Sequence, residues 1–150
     1  MPDPIRKSII VPCGPERAFE VFTSQIGGWW PFEGHSISEA NQTKAITAAF
    51  EPHIGGRLFE TAEDGREFDW GRVEAWEPGQ RLHILWLMGR EPGDCSEVEI
   101  LFTADGPGCR VDLEHRNWDV YGAEAQLKRD SYVKGWNLVF GTCFSEACRL

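Results

Sequence analysis

The residues of this 150-residue chain that could do chemistry are four histidines, five cysteines and a scatter of carboxylates, and their spacing excludes most reactions. His35, His53, His83 and His115 form no H-x-x-x-H pair and have no cysteine partner at short range, so no metal is expected. Cys13, Cys95, Cys109, Cys143 and Cys148 contain no C-x-x-C and cannot all pair; they read as small buried hydrophobes in a reducing cytosol. There is no G-x-S-x-G elbow, no phosphate-binding glycine-rich loop and no dinucleotide fingerprint, and no cofactor is expected. Neighbouring carboxylates such as Glu63 and Asp64 fall in turn sequence, where solvated charge is the default. One group stands apart. By parity with Val111 and Leu113, His115 points into the interior, and Asn117 continues that face. A neutral imidazole there could bond a ligand oxygen or act as a general acid/base, the competing reading being a core histidine bonded to backbone or water. Arg57, Arg72, Glu60 and His35 are further candidates for contacts at a cavity mouth, with solvent-facing roles as the ordinary alternative.

The elements that must position these groups follow from periodicity. Ile5 to Val11 is β-branched and alternating, and Pro12 closes it as a strand. Pro15 then opens a helix with Ala18, Phe19, Val21 and Phe22 on its apolar face. A second short helix is expected near Ile26 to Trp30, and Phe32 to Thr43 is polar and loop-like. From Lys44 to Trp118 the period becomes strand-like, with turns at Glu63-Asp64-Gly65, Glu77-Pro78-Gly79 and Asp105-Gly106-Pro107-Gly108. Six strands are expected there. After Asp119 the period is helical, with Tyr132, Trp136, Val139, Phe140, Cys143, Phe144 and Ala147 forming one stripe from about Ala123 to Ala147. The order β-α-α-β6-α within one domain spanning 1–150 is α+β with an antiparallel sheet.

Composition narrows the partners. A net charge of -9 argues against nucleic acid and anionic membranes, which demand basic surface. No apolar run approaches the ~20 residues that span a bilayer, and no signal-peptide run opens the chain, so a soluble cytoplasmic protein is expected. Seven tryptophans and nine phenylalanines beside two tyrosines mean either a large core or a lined pocket. Gly135 and Gly141 interrupt the last helix, where each costs about 1 kcal/mol relative to alanine. Close helix–sheet packing is the first reading of these two glycines, and room for a ligand the second.

Several local patterns also carry a resemblance. They are Pro15-Glu16-Arg17-Ala18-Phe19 with Phe22, Trp29-Trp30-Pro31, Phe50-Glu51-Pro52 with Gly55-Gly56-Arg57, and Asp64-Gly65. Gly71-Arg72-Val73, Trp76-Glu77-Pro78, Leu82, Trp86 and Gly135-Trp136 continue them. In this order the chain resembles the START and Bet v 1-like (SRPBCC) superfamily, in the branch named for the activator of Hsp90 ATPase. The resemblance implies a helix-grip fold: a curved antiparallel sheet wrapped around the long carboxy-terminal helix, leaving a cavity between them. It implies an apolar or aromatic small molecule in that cavity, with Trp30, Trp70, Trp86, His115, Trp136 and Phe140 as its contacts. His115, with Arg57 or Arg72, would orient a polar end. The alternatives are a cyclase- or hydrolase-like enzyme using His115 as acid/base, and a module that binds a chaperone or another protein. The separate amino-terminal domain of the full eukaryotic activator is not found here, so activation of Hsp90 is not expected to carry over.

Overall fold

Alternation of apolar and polar side chains between Lys44 and Arg116 produces six strands, and Ile5–Val11 adds a seventh. The computed structural model describes residues 2–150. Its strands are β1 (Ile5–Val11), β2 (Ala45–Phe50), β3 (Arg57–Ala62), β4 (Glu67–Glu77), β5 (Arg81–Trp86), β6 (Ser96–Asp105) and β7 (Gly108–Arg116). They form one antiparallel sheet in the order β1-β7-β6-β5-β4-β3-β2, so the first strand pairs with the last, Ile5 opposite His115.

The two faces of this sheet differ as their alternation requires. Leu82, Ile84 and Trp86 on β5, Val98 and Ile100 on β6, and Val111, Leu113 and His115 on β7 are all buried on the concave face. The convex face carries charge. Arg81 and Arg116 both bond Glu99, at 2.5 and 3.0 Å, and His83 meets Glu97 at 2.8 Å.

Four helical segments cover the concave face. Helix α1 (Pro15–Phe22) starts at a proline, whose missing N–H costs nothing in the first turn, and buries Ala18, Phe19, Val21 and Phe22. Helix α2 (Ile26–Trp29) lies close on β2: a Cβ on Gly27 would sit 2.9 Å from the Ala48 carbonyl oxygen, so only glycine fits there. Helix α3 (Ala125–Leu138) runs on through a π-helical stretch, Val139–Phe144, into α4 (Ser145–Ala147). The π stretch stacks Phe140 on Phe144 with ring centres 5.7 Å apart, against the core that α1 and α2 share. No helix among the described residues is long and apolar enough to cross a membrane.

Two boundaries differ from the sequence reading. Asn117 does not extend β7: it takes a left-handed conformation (φ 72°) that ends the strand, and its amide donates to the Cys95 carbonyl. A 3-10 segment, Trp118–Glu124, then precedes α3, because Gly122 at φ 59° breaks the helical path.

Candidate functional site

Beside α3 the concave face is not filled. A cleft of about 790 Å³ lies between α3, the segment Gly34–Ile37 and the end of β5. Trp30, from the end of α2, Trp86, from the end of β5, and Trp136, from α3, bring three indoles to its wall. Their ring centres are 5.5 to 6.5 Å apart. The wall is fixed by polar bonds as well as packing. Trp30 donates to the His35 carbonyl at 2.9 Å, Trp86 to the Tyr132 hydroxyl at 3.0 Å, and Trp136 to His115 Nδ1 at 3.0 Å. Such indoles present a preformed apolar surface, since rotating any of them would strand a buried N–H. Met88, at φ 46°, adds backbone strain at the cleft edge.

Tyr132 is the main polar group of this wall. One turn before Trp136, it faces the cleft while accepting the Trp86 bond, and burial pushes its phenol up to about 12. The hydroxyl is therefore a proton donor throughout the physiological range.

The loop that closes the other side is held from below. Glu60 is fully buried, and its carboxylate accepts from the amides of Ile37 (2.7 Å) and Ser38 (3.0 Å), the Ser38 hydroxyl and the Trp70 indole (2.5 Å). Four donors converging on two oxygens match a carboxylate, which only accepts. Glu60 thus ties the Ile37–Ser38 backbone to β3 and β4, and with it the His35 to Ile37 side of the cleft.

Trp30, Trp86, Trp136 and His35 line the cleft; Trp70, His115 and Phe140 do not. Trp70 packs behind Trp30, with ring centres 4.7 Å apart, and Phe140 lies beyond Trp136 in the π-helical core. His115 is inward, as strand parity requires, but it is fully enclosed and both its nitrogens are engaged. An indole N–H can only donate, so Nδ1 is the acceptor, the hydrogen resides on Nε2, and Nε2 donates to Ser96 Oγ at 2.7 Å. Tyr121 extends the chain at 3.0 Å from Ser96. Burial lowers the imidazole to about 3 and keeps it neutral, and with both nitrogens engaged it does not open onto the cleft.

The two arginines are corrected as well. Arg57 bonds Glu51, Glu67 and Asp69 at 3.1 to 3.3 Å, and Arg72 stands opposite it in register on the convex face, away from the cleft. Arg57 follows the regular alternation of β3, in which Leu58, Glu60 and Ala62 are buried, and Arg72 follows from β4, whose parity the extra residue Trp70 obscures in sequence. Gly135 and Gly141 do not serve close packing: a Cβ at Gly135 would meet only the His35 ring, at 4.0 Å, and at Gly141 nothing within 4 Å. Gly135 instead widens the cleft. The sequence places Tyr132 in the helix stripe without showing its polar role, and offers Glu60 as a cavity-mouth or solvent-facing group, whereas it is a buried anchor. The pattern Glu60-Thr61-Ala62 was the available signal, since parity with buried Leu58 turns Glu60 inward.

A curved antiparallel sheet gripping a long helix, with an indole-lined cleft beside that helix, defines a helix-grip protein. Residues 12–146 match the family model described as activator of Hsp90 ATPase homolog 1-like protein, and the chain belongs to that family. A solved anthrahydroquino-γ-pyrone synthase, determined in complex with a ligand, is 32% identical over 98% of this chain and 99% of its own, with a TM-score of 0.66. The self-sacrificing resistance protein CalC from Micromonospora echinospora is 28% identical, covers 97% of this chain and 93% of its own, and has a TM-score of 0.71. A Bacillus halodurans protein, at 14% identity with 99% and 98% covered, shares the fold with a TM-score of 0.69. No curated protein matches the chain by sequence.

Proposed function

We propose that this protein binds an aromatic small molecule in the cleft between α3 and the Gly34–Ile37 segment. The observation that carries the reading is the wall: three indoles with fixed N–H groups and one phenol bound a space of about 790 Å³, within the range of small-molecule sites. Flat rings match such a wall by stacking and edge contacts. The rim supports it too, because Leu127 and Leu138 flank the opening and are 72% and 42% exposed, apolar surface that an occupant would cover. The relatedness to a synthase of an anthrahydroquino-γ-pyrone, at 32% identity, favours a polycyclic occupant.

The same relative is the ground for a second, catalytic reading. Its acid/base groups would come from the titratable side chains that line the cleft, His35 and Tyr132 among them, and not from His115 behind it.

Native mass spectrometry of freshly purified protein tests the binding reading. A co-purifying mass that is lost on replacing Trp136 by alanine, with the fold retained, is the expected result. An apo protein that takes up no aromatic compound at micromolar concentration would sink it.

A further inference from the structure

The cleft is apolar at its wall and carries two ammonium groups at its rim. The chain as a whole has a net charge of -9, yet Lys128 and Lys134 line the cleft against the single carboxylate Glu124. The arginines from Arg6 to Arg129 all stand in ion pairs. Neither Lys128 nor Lys134 has an ion-pair partner among the described residues. Lys128 precedes Tyr132 by four residues and so shares its helix face, with its ammonium 5.5 Å from the centre of the Tyr121 ring.

Tyr132 supplies the directional element. Its oxygen already accepts the Trp86 indole hydrogen, and an indole cannot accept in return. The phenol's own hydrogen therefore has to find an acceptor elsewhere, and none is found among the described residues. A purely apolar occupant would leave that hydrogen buried without a partner, at the cost of a lost hydrogen bond.

We propose that the occupant is an aromatic molecule carrying an anionic oxygen substituent, which accepts the Tyr132 hydrogen and is neutralised by Lys128 and Lys134. This rests on the binding reading above and specifies the chemistry of its ligand. An anion approaching this molecule is repelled at long range by the acidic surface, so selectivity for it has to arise at the rim. Short-range attraction by two unpaired ammonium groups and one hydroxyl can supply it.

Two fluorescent probes with one ring system separate the effects: 1-anilinonaphthalene-8-sulfonate, which is anionic, and N-phenyl-1-naphthylamine, which is neutral. Wild-type protein at low salt should bind the anionic probe about tenfold more tightly, as two exposed charge contacts and a hydrogen bond allow. The double change Lys128→Gln with Lys134→Gln should abolish that preference and leave neutral-probe binding intact. Tyr132→Phe should weaken the anionic probe by about tenfold, with neutral-probe affinity reporting on the fold. Lys44→Gln, which removes the same charge outside the cleft, should preserve the ratio, and added salt should reduce it. Equal binding of the two probes, or tighter binding of the neutral one, overturns this proposal and leaves the binding reading standing. Binding of neither probe overturns the binding reading itself.

Discussion

Replacing Glu60 by glutamine tests how the cleft is held open. The carboxylate accepts four hydrogen bonds: Ile37 N–H and Trp70 Nε1–H at one oxygen, Ser38 N–H and Ser38 O–H at the other. With its carbonyl in the first position, a glutamine keeps the bonds to Ile37 and Trp70. Its NH₂ then faces the Ser38 amide, donor against donor, while the Ser38 hydroxyl can rotate to accept. One buried backbone N–H is orphaned, at about 1–3 kcal/mol, and the surviving bonds lose their charge assistance. Together these lower stability by about 2–4 kcal/mol. For a domain of this size that is a fall in melting temperature of about 6–12 °C. Thermal and urea unfolding measure the loss, and hydrogen exchange at Ile37 and Ser38 locates it. Both amides should lose protection at temperatures where the β5–β6 core keeps its own. If the variant matches wild-type stability within about 0.5 kcal/mol with those amides still protected, Glu60 is not the anchor of the loop.

Other outcomes follow from the same geometry. His115 is neutral in the fold with its imidazole lowered to about 3, whereas the unfolded chain takes up that proton near pH 6.5. Stability contributed by this group is therefore complete above pH 6.5 and is lost as pH falls toward 3. Linkage gives a loss of about 2 kcal/mol between pH 7 and pH 5, and urea unfolding of His115→Gln should show that part of the slope removed. Gly135→Ala should raise stability by about 0.5–1 kcal/mol, because helix propensity improves and the new methyl meets only the His35 ring at 4.0 Å. A melting temperature below wild type would contradict that assignment.

Strand parity carried the sequence reading a long way and failed where geometry is not local. Alternation at Val111, Leu113 and His115 is enough to turn the imidazole inward, and the i, i+4 spacing of Tyr132 and Trp136 is enough to face both toward the sheet. Parity cannot say how deep a residue lies. Trp30 and Trp70 touch one another, yet Trp30 reaches the cleft and Trp70 does not, because the Trp30 ring itself covers Trp70. The identity of hydrogen-bond partners is equally nonlocal: Trp136 and His115 are 21 residues apart, and Ser96 lies 19 residues from His115 on a different strand. On β4 the alternation is hidden by a register shift at Trp70, a one-residue event that puts Trp70 and Gly71 both inside and reverses the later assignments on that strand, Arg72 included. That Glu60 lies neither at the cavity mouth nor in solvent was not legible, because charged side chains are seldom fully enclosed, and the donors that make the exception possible come from the far-off Ile37–Ser38 turn and from Trp70.

The pairing of β1 with β7 also has a kinetic meaning. Ile5 meets His115 across 110 residues of chain, so β1 has no strand partner until β7 exists. During synthesis at about 5–20 residues per second, β1 waits on the order of 5–20 s with both edges open. Helix α3, which completes the cleft, emerges later still. The cleft therefore exists only once the last helix has left the ribosome, and the proposed binding is confined to the finished chain.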